Sequence, residues 1–248
     1  DGARGDDISH HTHSYLNTLR GLLLYGETTG QQQYIDTVEA TYHNTVLAEM
    51  ITSSGVIPHD IGGTWAEVAS AGDVAQLALW LYDLKRNPEY LDDVERLVRA
   101  RLLPSQVFEI PSLMPAYGGS SDEVRDLSNR IVGAIGGKCG HTWGKTCVTD
   151  ITAASLQTLI DVYHHIAERN QEGIWVQLHF DCEREYVNIH SIRGEEARLT
   201  VEVPGDENLF LRVPCWVPAD SIELFVGGAP APISWQGSYL MVPGLSGG

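Results

Sequence analysis

A single change of hydrophobic period predicts an α+β protein, helical over residues 1–172 and folded as an antiparallel β-sandwich over residues 173–248. Three observations carry this. Apolar residues recur at steps of three or four up to about residue 166, alternate at every second position from Gly173 onward, and a six-residue pattern returns once within the helical part.

The helices follow in order. The first spans about residues 10–28 and is closed by Gly30. Ile35, Val38, Tyr42, Val46 and Met50 form the stripe of the second; Val74, Leu77, Leu81 and Leu84 form that of the third. Leu91, Val94, Val98 and Leu102 give a fourth, with Pro88 at its start, where the missing N–H costs nothing. Leu156, Leu159, Ile160, Tyr163 and Ile166 give the last. Tyr34-Ile35-Asp36-Thr37-Val38-Glu39 returns 56 positions later as Tyr90-Leu91-Asp92-Asp93-Val94-Glu95. Each copy follows an apolar helix ending in Tyr (Tyr25, Tyr82) and a short polar turn, the signature of helical hairpins stacked side by side.

From Gly173, Ile174, Val176, Leu178 and Phe180 alternate with polar or amphipathic residues. Leu199, Val201 and Val203 do likewise, as do Leu209, Leu211 and Val213, and Ile222, Leu224 and Val226. Pro204-Gly205-Asp206, Pro218 and Gly227-Gly228 punctuate these strands. Between residues 104 and 146 lies a long irregular stretch of the kind that often carries function.

The chain has 248 residues, 43% of them apolar and 20% charged, which excludes disorder and low complexity for the whole. Its formal charge of −17 repels phosphate backbones and anionic lipid, so neither nucleic acid nor a membrane surface is an expected partner. No apolar run approaches the roughly 20 residues of a membrane span. Cys139, Cys147, Cys182 and Cys215 are too few and too scattered for a disulfide scaffold.

Three clusters hold candidate chemistry. His10, His11 and His13 gather at the mouth of the first helix, either to contact a polar substrate or simply as a polar helix entrance. Pro58-His59-Asp60-Ile61-Gly62-Gly63-Thr64-Trp65-Ala66-Glu67 joins the two repeat copies. It brings together two carboxylates, an imidazole and an indole. Paired carboxylates are the tools of glycosidic cleavage, and an indole offers a flat face to a sugar ring. The bland alternative is a solvated turn with Glu67 in the first turn of a helix, where the dipole favours it. The third cluster runs from Lys138 to Cys147 and holds Cys139, His141 and Trp143. Its Cys and His spacing fits no standard zinc motif, and Gly144-Lys145-Thr146 lacks the earlier glycine of a phosphate-binding loop, so nucleotide binding is rejected.

Taken together, these segments resemble the β-L-arabinofuranosidases of glycoside hydrolase family 127. Residues 11–30, ending Tyr25-Gly26-Glu27-Thr28-Thr29-Gly30, look like that family's His-bearing helix and its Y-E-x-T-G-D turn. Glu67-Val68-Ala69-Ser70 with Tyr90-Leu91-Asp92-Asp93-Val94-Glu95-Arg96 looks like its E-T-C-A and Y-A-D-x-x-E-R block. Thr146-Cys147-Val148-Thr149-Asp150 stands where the family has C-C-P-P-N. The run from Gly173 to Phe180, and Leu211-Arg212-Val213-Pro214-Cys215-Trp216, resemble its strand motifs d-g-l-y-V-n-l-Y and l-R-I-P-x-W.

The resemblance implies an (α/α)6 toroid followed by β-sandwich domains, with retaining hydrolysis of a terminal sugar. It also implies a zinc held by one Glu and three Cys, one of them the nucleophile, and a Glu as acid/base. Here Glu67 and Cys147 keep two ligand positions, while Ala69 and Thr146 replace two cysteines, Thr146 at the nucleophile position. Asp60 is the carboxylate nearest the acid/base position. The expectation is therefore a glycoside hydrolase, arabinofuranosidase-like, acting on a plant or microbial glycan through Asp60 and Glu67. His11, His13, His59, Trp65, His141 and Trp143 would contact the sugar. No cofactor is expected, zinc being the one metal the resemblance admits. The rival expectation is a glycan-binding or scaffold protein without catalysis. Residues 1–172 hold three hairpins and would form the C-terminal half of the toroid. The other half is expected from sequence not shown or from a partner chain, a homodimer being one such arrangement.

Overall fold

The computed structural model describes residues 11–52, 55–63, 66–108, 132–135 and 150–244, and mixes helix and sheet in the predicted order. Helix α1 (Thr12–Thr29) ends at Gly30, whose φ of 66° lets the chain reverse while the N–H groups of Gly30 and Gln31 satisfy the carbonyls of Glu27 and Gly26. Helix α2 (Gln32–Thr41) packs back on α1 and continues into π-helical turns over Tyr42–Met50. The hairpin is tight at Gly26, where a Cβ would lie 3.1 Å from side-chain carbons of Tyr34 and Ile35.

Helix α3 (Val68–Lys85) is the centre of the helical part. It packs against α1, α4 (Glu89–Leu97) and α5 (Asp150–His164), and every residue from Val68 to Leu79 is buried. The single stripe expected there from Val74, Leu77, Leu81 and Leu84 is thus a helix enclosed on all sides. Small residues make this possible: Gly72 allows α5 to approach so closely that a Cβ would meet the Thr158 hydroxyl at 3.0 Å. Gln76, buried on the same face, donates to Asp161 of α5. Helix α4 runs on into π-helical turns (Val98–Leu102) and one 3-10 turn (Leu103–Ser105). The two repeat copies occupy corresponding places in α2 and α4, the second helices of two hairpins.

Ten short strands follow among the described residues. β1 (Ala167–Arg169), β2 (Ile174–Val176), β6 (Leu209–Arg212), β10 (Tyr239–Val242) and β9 (Trp235–Gln236) form one sheet in the order β1-β2-β6-β10-β9. β3 (Cys182–Arg184), β4 (Val187–Ile192) and β5 (Arg198–Glu202) form a second, and β7 (Phe225–Val226) with β8 (Ala229–Pro230) a small third.

The expectation of purely antiparallel pairing needs one correction. β2 and β6 run parallel, Ile174 facing Leu209 and Val176 facing Leu211. The alternation expected through Phe180 also breaks after Val176, because the N–H groups of Gln177 and Leu178 donate to the Ile166 carbonyl at the end of the preceding helix segment. Gly173, at φ 144°, passes so close to Asn208 that a Cβ would lie 2.2 Å from its carbonyl oxygen.

One hydrophobic core runs through both kinds of structure, joining Leu91, Val94 and Leu97 of α4 to Ile174, Val176, Leu178, Val187 and Ile189. Within it sits a buried ionic cluster. The Arg212 guanidinium, fully buried, meets Glu95 at 2.5 Å, Asp92, and the Gln177 carbonyl. Glu95 also accepts from Arg99 at 3.0 Å and Arg193 at 2.9 Å. The acidic Y-L-D-D-V-E motif and the strand motif L-R-V-P are therefore two halves of one clamp between helix and sheet. Among the described residues, no helix is long and apolar enough to cross a membrane.

Candidate functional site

Helices α1 and α3 start side by side, and residues 58–63 lie across their N-termini. His11 immediately precedes α1 and Glu67 immediately precedes α3. The loop is sewn down by backbone contacts: Thr12 N–H donates to the His59 carbonyl at 2.7 Å, His11 bridges to Asp60, and Pro58 bridges to Ala66. Between these bridges the chain turns through Asp60-Ile61-Gly62-Gly63, with the Gly63 N–H on the Asp60 carbonyl at 2.7 Å. Gly62 takes the positive φ of 81° that the third position of such a turn demands. A Cβ on Gly63 would lie 2.8 Å from the Asp60 oxygen, so the glycine pair is what lets the turn form.

This folding places His11, His59 and Glu67 together, one ligand atom of each within 4.8 Å of the others. The His11 and His59 rings lie 4.5 Å apart, centroid to centroid. His11 Nε2 is 3.7 Å from Glu67 Oε2, while its Nδ1 is 2.6 Å from the Ser14 hydroxyl. Asp60 Oδ1 is 3.1 Å from His59 Nδ1. The two carboxylates differ in setting, the Glu67 side chain being 13% exposed and that of Asp60 43%. Glu67 makes no capping hydrogen bond to α3, and its buried Oε2 has no hydrogen-bond partner among the described residues. A solvated helix-start glutamate would not bury an oxygen in this way.

His13 stands beside this group, its ring 5.9 Å from that of His11, but both its nitrogens are engaged. Nδ1 donates to Asp73 at 2.5 Å and Nε2 accepts from Asn17 at 3.1 Å. Arg20 closes the circuit, donating to Asn17 Oδ1 at 3.1 Å and Asp73 Oδ1 at 2.9 Å, with its guanidinium over the Trp80 ring. The sequence reading missed Asp73, Asn17 and Arg20. A signal existed, since His13, Asn17 and Arg20 recur at i, i+4 and i+7 on one face of α1. Asp73, 60 residues further on, carried none. Trp65, His141, Trp143, Thr146 and Cys147 lie outside the described residues.

The zinc set implied by the family resemblance does not fit what is described. Ala69 is buried and its methyl group offers no donor where a thiolate is needed.

No protein-family model and no curated protein matches this sequence. Solved structures do match. A GH127 β-L-arabinofuranosidase from Geobacillus stearothermophilus T6 superposes with a TM-score of 0.59 at 15% identity, over 94% of this chain and 40% of that one. A second GH127 β-arabinofuranosidase gives 0.60 at 14% identity, with the same shares covered. A further structure described as a glycoside hydrolase gives 0.58 at 13% identity, over 94% of this chain and 44% of that one. The fold is therefore like that of GH127 enzymes. The chain spans less than half the length of these structures.

Proposed function

We propose that this chain is part of a glycoside hydrolase, arabinofuranosidase-like, that removes a terminal sugar from a plant or microbial glycan through Asp60 and Glu67 rather than through a cysteine-bound zinc. The observation that carries this reading is the Glu67 carboxylate, shielded from water, neither capping its helix nor hydrogen-bonded through Oε2, and set beside the more open Asp60 loop. In the proposed reaction one carboxyl group protonates the leaving oxygen and the other attacks the anomeric carbon or activates water. His11 and His59 hold sugar hydroxyls. His13, fixed by Asp73 and Asn17, positions the His11 ring. Trp65, Trp143 and His141 complete the sugar contacts in this reading. Residues 1–172 are then the C-terminal half of an (α/α)6 toroid and residues 173–248 a β-sandwich.

Turnover of aryl furanosides and pyranosides by the protein tests the proposal. Glu67→Gln and Asp60→Asn should each lower kcat/KM at least ~100-fold, the usual scale for removing an acid or base, with unfolding temperature unchanged. Full activity in both would overturn it. The buried Ala69 methyl at a ligand position favours a second reading, a glycan-binding protein without catalysis. It expects sugar binding by the unaltered protein with no product released.

A further inference from the structure

We propose that His11, His59 and Glu67 form a binding site for a first-row divalent transition ion, zinc foremost, built from imidazoles where the GH127-like pattern would use thiolates. Two imidazole nitrogens and one carboxylate oxygen are a donor set suited to such ions, and three protein ligands leave a fourth position open. In tetrahedral zinc sites, bonds of ~2.0–2.1 Å set neighbouring donors about 3.3 Å apart. His11 Nε2 and Glu67 Oε2 are already 3.7 Å apart, and the whole group lies within 4.8 Å, close to the spacing an ion would impose.

The surroundings are those of metal-ligating histidines. Ser14 holds His11 Nδ1 at 2.6 Å while Nε2 faces Glu67, so a neighbouring polar group fixes the ring that presents its other nitrogen to the site, and the Asp60 carboxylate lies 3.1 Å from His59 Nδ1. The independent sign is Glu67 Oε2, buried and without a hydrogen-bond partner among the described residues. Such an atom is costly to leave unsatisfied, and a cation between it and the imidazoles satisfies it. The N-termini of α1 and α3 act against a cation. Two carboxylates at the site and a chain charge of −17 act for it.

The site shares all three of its residues, His11, His59 and Glu67, with the proposed glycosidase site yet does not rest on catalysis. An ion there occupies the Glu67 oxygen, so zinc would inhibit any turnover carried by the carboxylates.

The test is calorimetric titration of metal-stripped protein with zinc chloride, together with X-ray absorption of the zinc-loaded protein. One zinc per chain with only nitrogen and oxygen neighbours is expected. His59→Gln and Glu67→Gln should each weaken binding at least 10-fold with helical circular dichroism unchanged, and a Cys139→Ser/Cys147→Ser variant should bind as the unaltered protein does. A sulfur shell at ~2.3 Å, loss of zinc in the cysteine variant, or no stoichiometric binding would each overturn the proposal. None of these readouts depends on sugar cleavage, which the Asp60 and Glu67 substitutions test separately.

Discussion

The two copies of the Y-x-D-x-V-E pattern start from near-identical sequence and end in opposite environments. In α2, Glu39 stays 29% exposed, pairs with Lys85 at 2.6 Å and accepts from the Tyr90 hydroxyl at 2.8 Å. In α4, Glu95 is fully buried and holds Arg99, Arg193 and Arg212. The acid is the same, and what lies opposite differs: α4 is covered by the strand region, whereas Glu39 meets the exposed end of α3. The repeat thus encodes the helix, while tertiary cover decides whether its acid is a surface charge or an interior anchor. The copies even touch, since Tyr90 of the second reaches Glu39 of the first.

The largest test of this contrast is to break each pair. Arg212→Met leaves Asp92 and one Glu95 oxygen without their buried cation, and should cost about 3–5 kcal/mol in urea unfolding. Glu39→Gln should cost less than ~1 kcal/mol and lose even that in ~1 M salt. Equal costs would refute the contrast.

Next comes acid sensitivity. His179 lies against the clamp, its Nε2 donating to the Arg212 carbonyl at 2.7 Å and its Nδ1 accepting from Arg193 at 3.1 Å. Burial first, with help from Arg212 and Arg193 and against the pull of Glu95, lowers its pKa from 6.5 to about 4. The folded protein therefore holds this ring neutral where the unfolded chain would protonate it. Stability from this group is complete above about pH 6.5 and is lost as pH falls toward 4, on the order of 3 kcal/mol in all. The lowered pKa of Glu95 adds a loss only further down, as pH falls below the 4.5 of an ordinary glutamate. His179→Gln should flatten the fall in unfolding temperature between pH 7 and pH 5.

A smaller effect than either of the clamp tests concerns the link between the copies. Tyr90→Phe removes a hydroxyl placed between Glu39 at 2.8 Å and His43 at 3.2 Å. It should cost about 1 kcal/mol in the same unfolding assay.

What could be read in advance follows the range of the physics. Local rules worked: Gly30 closed α1 and Pro88 opened α4. The grouping of His11, His59 and Glu67 was half legible, because all three flank or sit in one glycine-bearing loop. The partners of His13 and Glu95 were not, since Asp73, Arg193 and Arg212 meet them only after helices and strands distant in sequence have packed. Enclosure of α3 also hid in the sequence: Val74, Leu77, Leu81 and Leu84 mark one apolar stripe, while the small Ala69, Ala71, Gly72, Ala75 and Ala78 buried beside it do not announce a second face.

The clamp also sets a schedule. Arg212 is 117 positions after Glu95 and 120 after Asp92, and the parallel pairing of β2 with β6 waits on the same distant segment. At ~5–20 residues per second, a ribosome delivers Arg212 about 6–23 s after Glu95. The hairpins α1–α2 and α3–α4 close over short spans and can form well before then. During that interval the face of α4 destined for the strands is wet and acidic, and Glu95 remains in water until the cation that allows its burial has been made.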